Sequence, residues 1–183
     1  MREMTVQTLR QALAQTRWQP VHLMQRLAPP RALRPWLSDR GSLTQGLRRL
    51  CPMLYVTVMD EGYQRPTRQE AIALQVAPDR HCWVRTVRLH CQGQTWVYAR
   101  TVIPDLMPGN PWYALKQLGN QPLGEVLFNT PHLARSDFQL SRPNANDFAR
   151  QSRFFRAQTP LLLTEVLTDC FTQTLHQRPD FGA

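Results

Sequence analysis

The stretch Cys82-Trp-Val-Arg85-Thr-Val-Arg-Leu-His90-Cys-Gln-Gly-Gln94-Thr-Trp-Val-Tyr-Ala-Arg100-Thr-Val-Ile103 decides how the rest of the chain is read. Residues 82–90 and 95–103 are rich in β-branched and aromatic side chains, and Gln92-Gly93 can form a two-residue turn, so the segment reads as an antiparallel hairpin. Alternate residues of a strand share a face. That groups Trp83, Arg85, Val87 and Leu89 on an apolar face. Cys82, Val84, Thr86, Arg88 and His90 fall on a wetter one. With Cys91 opposite Gln94, Arg85 lies opposite Arg100, and directly opposed residues point the same way. Two arginines facing each other are tolerable on an inner face only when something anionic lies between them. A one-residue change near the turn undoes this pairing.

A second charge falls on an apolar face in Pro160-Leu-Leu-Leu-Thr-Glu165-Val-Leu167. Strand parity places Leu161, Leu163, Glu165 and Leu167 together, with Leu162, Thr164 and Val166 opposite. Neither face is polar, so Glu165 is expected to be buried or to line a cavity. A carboxylate taken out of water is costly unless it is paired or used. Two readings stay open. One is a structural ion pair between Arg85 and Glu165, with Arg100 reaching solvent. The other is a closed cavity with a carboxylate at one end and one or two arginines at the other. The second suits a small, planar, carboxylate-bearing ligand, because arginine grips a carboxylate through two parallel hydrogen bonds.

Outward from these strands, the chain contains no internal repeat. A weakly amphipathic helix is expected over residues 5–17, and prolines 20, 29, 30 and 35 keep any helix in 20–36 short. Ser42 can cap a helix running to Leu50. Residues 53–63 alternate as a strand. Thr67-Arg-Gln-Glu70 has the capping-box pattern and opens a short helix to Leu74. Asn110-Pro111 begins a helix ending near Gly119, and residues 122–128 form another. Residues 134–142, 150–158 and 160–169 read as three more strands. Six or so strands with short links, and helices in the first half and middle, predict an α+β fold around a mostly antiparallel sheet.

The 183 residues suit one domain. No segment is apolar for the roughly 18 residues that a membrane helix needs, and the N-terminus lacks the apolar core of a secretory signal. The four cysteines, at 51, 82, 91 and 170, have no paired spacing. Free thiols in a reducing cytoplasm are therefore expected, with no disulfide framework and no zinc knuckle. His22, His81, His90, His132 and His176 form no ligand motif. The formal net charge is +9, nearly all of it from arginine, since Lys116 is the only lysine. The arginines are scattered. That suits either a solvated basic surface or attraction of a small anion, and lacks the basic clusters of a nucleic-acid surface.

Four pieces of the chain together resemble the chorismate lyase family: Trp-Val-Arg85, Ala-Arg100-Thr-Val-Ile-Pro104, Ala114-Leu-Lys-Gln-Leu-Gly-Asn-Gln-Pro-Leu123-Gly-Glu-Val-Leu-Phe128, and Pro160-Leu-Leu-Leu-Thr-Glu165. They come in the family's order with near-family spacing, over about Ser42 to Cys170. The resemblance implies a six-stranded, mostly antiparallel sheet with helices on one side and an internal ligand cavity under flap-like helical segments. It divides the chain into a proline-broken helical extension (1–40), the catalytic domain (41–175) and a C-terminal tail (176–183).

It also implies a reaction: loss of pyruvate from chorismate to give 4-hydroxybenzoate for quinone biosynthesis, without cofactor or metal. The family's ligand-binding arginine falls on Arg85 and its glutamate on Glu165. Backbone contacts fall on Leu43 and Leu123, and Arg100 lies nearby to meet a second carboxylate. Leu43 stands where the family often has methionine, and Ala99 where glycine is expected. A cytoplasmic monomer with a small-molecule substrate and product, and no nucleic-acid partner, completes the expectation. The alternatives are an effector-binding domain of the same fold without catalysis, as in GntR-type regulators, and, from charge alone, a nucleic-acid-binding protein.

Overall fold

The computed structural model describes residues 3–130 and 133–177 of the chain. His132, and residues 178–183 of the expected tail, lie outside the described residues. The helices are α1 (Val6–Gln15), α2 (Arg34–Ser38), α3 (Leu43–Leu50), α4 (Arg68–Leu74), α5 (Leu123–Phe128) and α6 (Asp169–Gln177). The strands are β1 (Gln19–Pro20), β2 (Tyr55–Gln64), β3 (Cys82–Cys91), β4 (Gln94–Pro104), β5 (Ala134–Arg135), β6 (Gln139–Ser141), β7 (Phe148–Arg156) and β8 (Thr159–Leu167). They form one sheet in the order β1-β6-β7-β8-β4-β3-β2, with β5 also paired to β7, and the pairings are antiparallel. The α+β sheet fold is as expected. Its eight strands exceed the six anticipated because the segment 134–142 breaks into β5 and β6 and because β1 joins the edge.

Local chemistry fixes the elements. Ser42 caps α3, its hydroxyl accepting from the Gln45 N–H. Thr67 and Glu70 form the complete capping box at the start of α4. The β3–β4 turn has Gln92 and Gly93 at φ 50° and 77°, the left-handed pair that a two-residue hairpin turn requires. Asn110 does not cap a helix. Its side chain accepts from the Trp112 N–H and donates to the carbonyls of Pro104 and Asp105, and only a short 3-10 turn, Tyr113–Gln117, follows.

The hairpin register departs from the two-residue-turn expectation one step beyond the turn. Cys91 pairs with Gln94 and His90 with Thr95, but Leu89 pairs with Val97. Trp96 is the extra residue of a β-bulge. The bulge lets Trp96 and Val97 both enter the same apolar cluster, Trp96 against Phe171 of α6. Every later residue of β4 is displaced by one. Arg85 therefore lies opposite Thr101, and Arg100 opposite Thr86 on the other face. The expected Arg85–Arg100 pairing is corrected by this single insertion.

Helices cover both faces of the sheet rather than one. On the front, α2, α3 and α6 pack through Leu37, Leu43, Leu47, Phe171 and Leu175 onto Val87, Leu89, Val97 and Leu167. Also in front, Trp112, Leu115 and Leu127 pack onto Trp83, Leu161 and Leu163. On the back, α1 places Leu9 and Leu13 against Tyr98, Ala149 and Val166. Beside it, α4 sets Leu74 against Val84, Val102 and Leu162. Residues before 41 thus contribute both an edge strand and part of a core layer.

The free-thiol expectation is also corrected for two of the four cysteines. Cys51, at the C-terminal cap of α3, forms a disulfide with Cys91 at the end of β3, while Cys82 and Cys170 are free. The spacing argument failed because the partners are 40 residues apart in sequence and meet only through packing of α3 on the sheet. This pair removes the thiol argument for a reducing compartment. Cross-linking a loop of this length lowers the entropy of the unfolded chain by an amount worth about 4 kcal/mol. Cys51→Ser is therefore expected to destabilise the fold by about 2–5 kcal/mol in denaturant unfolding under oxidising conditions. An unfolding midpoint equal to that of the unaltered chain would show that the disulfide does not form in solution.

Candidate active site

The front face of β3, β4 and β8 carries, in register, Arg85, Val87 and Leu89, then Thr101, Ala99 and Val97, then Leu163 and Glu165. These eight residues, with Thr44 of α3 and Pro122, Leu123 and Gly124 at the start of α5, line one internal cavity. The sheet is its floor, and the N-terminal ends of α3 and α5 are its roof. The first N–H groups of a helix have no acceptor within the helix, and with the helix dipole they favour a negative charge. Leu43 itself is packed into the core behind this roof, and Thr44 is the α3 residue that faces the cavity.

Arg85 and Glu165 therefore line the same cavity, two strands apart and two residues out of step. Ordinary strand spacing then sets their Cα atoms about 12 Å apart, and their side chains converge from opposite corners. Arg100 does not line the cavity. It lies 1% exposed on the back face, where Nε donates to Glu70 Oε1 at 2.6 Å and Nη2 to Oε2 at 3.2 Å. Its Nη1 donates to the Thr86 hydroxyl, so this guanidinium ties α4 to the sheet.

Arg85 and Glu165 are not paired to each other either. Arg85, 3% exposed, donates through Nη1 to Glu61 Oε2 at 2.5 Å and through Nη2 to the Gly119 carbonyl. Glu165 Oε2 accepts from Arg150 Nε at 2.7 Å. Arg150 Nη1 donates in turn to the carbonyls of Trp36 and Asp39 at 2.7 and 2.9 Å, in the segment leading into α3. Beside them Arg135 stacks on Phe138 and Phe154, 4.2 and 4.6 Å from the ring centres. Burial pushes this guanidinium down to about 10, against the pull of the nearby Glu165 carboxylate. Among the described residues, no group of three His, Cys, Asp or Glu side chains is placed to hold a metal ion.

The sequence reading missed Glu61, Thr44 and Arg150. Arg150 carried the same signal as Arg85, a charge sharing strand parity with Phe148 and Phe154, but it stood at the expected first residue of its strand. Glu61 carried no such signal. A second bulge, between Val58 and Asp60, brings it onto the face of Val56 and Val58 and opposite Arg85.

As it stands the cavity holds about 30 Å³, one water's worth. A benzene ring needs on the order of 150 Å³. The roof must therefore part before an aromatic ring can enter. Its seam is tight: a methyl group on Gly124 would come within 2.9 Å of Thr44 Oγ1 and 3.3 Å of Ser42 Oγ. Gly124→Ala is expected to destabilise the protein by about 1–3 kcal/mol through overpacking. Thr44→Ala should recover most of that in a double-mutant unfolding cycle, because it removes the opposing hydroxyl. Strictly additive effects would show that the two helix starts do not touch in solution.

Residues 12–178 match the family model described as chorismate lyase. A probable chorismate pyruvate-lyase of Hydrogenovibrio crunogenus (strain DSM 25203 / XCL-2) is 45% identical over 166 residues, covering 83% of this chain and 90% of its own. A chorismate pyruvate-lyase of Pectobacterium carotovorum subsp. carotovorum (strain PC1) is 35% identical over 137 residues, covering 75% and 77% respectively. Among solved structures, the PhnF C-terminal domain superposes with a TM-score of 0.51 at 13% identity, over 62% of this chain and 82% of that one. That last likeness concerns the fold alone. The family match begins in α1, thirty residues ahead of Ser42, and with the two relatives it places this chain in the chorismate lyase family.

Proposed function

We propose that the protein is a carbon–oxygen lyase that releases pyruvate from chorismate and leaves 4-hydroxybenzoate, acting as a monomer in the cytoplasm without a cofactor. The observation that carries this reading is the small cavity with Arg85 at one corner and Glu165 at the other. Membership of the chorismate lyase family supplies the substrate.

Chorismate carries a ring carboxylate, a hydroxyl at C4 and an enolpyruvyl ether at C3. The proton on C4 leaves, and its electron pair enters the ring as the C3–O bond breaks. Enolpyruvate departs with the electrons of that bond and takes up a proton to become pyruvate. The hydroxyl stays on C4, and the ring becomes aromatic. Aromatisation supplies the driving force, so the protein needs chiefly to orient the diene, exclude water and move one proton.

In this reading Arg85 holds the ring carboxylate, helped by the N–H groups that open α3 and α5 at Leu43 and Leu123. Its contact with Glu61, a residue reached by solvent, is the one the incoming carboxylate competes with. Glu165 sits at the C4 end and carries the proton. Arg100, committed to Glu70 on the back face, has no part in holding substrate. Val87, Leu89, Val97, Ala99 and Leu163 give the ring an apolar floor. The same cavity would suit a protein that binds 4-hydroxybenzoate without turning anything over, and a turnover assay separates the two.

Purified protein mixed with chorismate, without added metal or nucleotide, is expected to release pyruvate and 4-hydroxybenzoate in equal amounts. Release of neither would sink the lyase reading. Pyruvate with 3-hydroxybenzoate would keep the cavity and overturn the placement of the proton transfer. Glu165→Gln should lower kcat by about 10²–10⁴-fold, the usual contribution of a general acid or base. Unchanged turnover in that variant would make Glu165 structural.

A further inference from the structure

The carboxylate of Glu165 is held from one side only. Its side chain is 11% exposed, and among the described residues its hydrogen bonding is confined to Oε2, which accepts from Arg150 Nε. Oε1 is the oxygen left for the cavity that Glu165 lines. Arg150 is itself 1% exposed. Its Nη1 is committed to the carbonyls of Trp36 and Asp39, and its Cζ lies 4.8 Å from the centre of the Phe138 ring. Three acceptors and a ring thus fix the guanidinium in position and plane. Arg150 and Glu165 are also directly paired residues of β7 and β8, so neither backbone can slide relative to the other.

We propose that Arg150 is the positioning residue for Glu165, holding Oε2 so that Oε1 alone is presented to the reacting ring. This rests on the proton-carrying role given to Glu165 above. The arrangement needs arginine. A planar fork reaches a carboxylate and two carbonyls from fixed directions at once, whereas the compact ammonium of lysine satisfies one cluster of acceptors and leaves the others buried and unpaired. Among the described residues, no other element supplies the same hold. Ala99, the neighbour of Glu165 on β4, has no polar side chain. Arg135 of β5 acts on Glu165 through space, but its own hydrogen bonds go to Ser152 and the Arg40 carbonyl. Arg85 of β3 is engaged with Glu61 of β2 and the Gly119 carbonyl. From the roof, Arg48 of α3 pairs with Glu125 of α5, outside the cavity. Asp39 offers Arg150 its carbonyl rather than its side chain.

The test uses the full chain with Arg150→Gln and Arg150→Lys. Both are read by thermal melting, by steady-state turnover of chorismate over pH, and by carbon-13 NMR of glutamate carboxyls in the ligand-free protein. Glu165→Gln identifies the Glu165 resonance. Loss of positioning is expected to lower kcat about 10²-fold in folded Arg150→Gln, with a smaller rise in KM, because a displaced proton carrier slows chemistry more than binding. The Glu165 carboxyl resonance should move in that variant, since the donor that holds one of its oxygens is gone. Arg150→Lys, which keeps the charge but not the planar fork, should restore little of kcat. Should Arg150→Gln fail to melt cooperatively, Arg150→Lys decides: a folded variant with wild-type kcat overturns the proposal. An unmoved Glu165 resonance in folded Arg150→Gln overturns it as well. The NMR readout needs no turnover. If the unaltered chain releases no pyruvate, the lyase reading fails by itself, while the carboxyl resonance still decides whether Arg150 holds Glu165.

Discussion

Two β-bulges decide which charges face the cavity. Strand parity is a strict alternation, and one extra residue inverts it for everything downstream. In β4 the extra residue is Trp96, and its effect is to carry Arg100 from the front face to the back. In β2 the irregularity lies between Val58 and Asp60, and its effect is to carry Glu61 to the front, opposite Arg85. Without the first, two arginines would face each other across the cavity floor. Without the second, the shorter Asp60 would stand opposite Arg85 in place of Glu61. The bulges are held by apolar packing: Trp96 against Phe171, and Met59 against the cluster under α1. The electrostatics of the site is thus set by where two large side chains could be buried.

Among the described residues, three arginine–glutamate pairs have a buried arginine, and they do different work. Arg100–Glu70 is the most deeply buried, at 1% and 5% exposure, and it is complete in itself. Glu70 also closes the capping box of α4, so both of its oxygens are spent. Removing one member of such a pair leaves an unpaired buried charge and costs about 3–5 kcal/mol. That is the signature of a structural pair. Arg85–Glu61 and Arg150–Glu165 each bring together one nearly inaccessible arginine and one carboxylate that still reaches open space, at 29% and 11%. In both, a cation inside the fold keeps donors or a fixed carboxylate available at the cavity wall.

Most of the fold was legible because its signals are local. The capping box at Thr67, the Ser42 cap, the Gln92-Gly93 turn and the alternating strands each lie within a few residues of sequence. The N-terminal strand β1 was not legible, since two residues carry no period. Helix α6 was missed because the sequence reading carries a strand to residue 169 and assigns no element beyond it, although Thr168 followed by Phe171 and Leu175 has helical spacing. Thr168 in fact accepts the Phe171 N–H through its hydroxyl. In the site, Arg85 and Glu165 could be picked out because a charge on an apolar face is conspicuous under parity. Arg100 was placed by register across the turn and was misplaced, because the bulge at Trp96 is a consequence of tertiary packing. The Cys51–Cys91 disulfide was invisible for the same kind of reason: no sequence spacing shows that α3 ends beside the turn of the hairpin.

The closed roof is also an energetic statement about which part of the structure yields. Helix α3 is held at its far end by the disulfide to β3 and along its length by Leu43, Leu47 and Leu50. Lifting it from the sheet would return three leucines to water, at about 1.5–3 kcal/mol each. Helix α5 buries Leu127 fully, but it leaves Phe128 39% exposed. Across the seam it is joined to α3 by Arg48–Glu125, an ion pair with side chains 46% and 32% exposed. Such a pair is worth about 0–1 kcal/mol in water. Separation at the Thr44–Gly124 seam is therefore the least costly opening. It uncovers the corner of the cavity beside Leu123 while Arg150 keeps its hold on the segment before α3. A site that must exclude water during an elimination, yet admit a ring several times larger than its resting volume, is well served by one fixed roof helix and one loosely latched one.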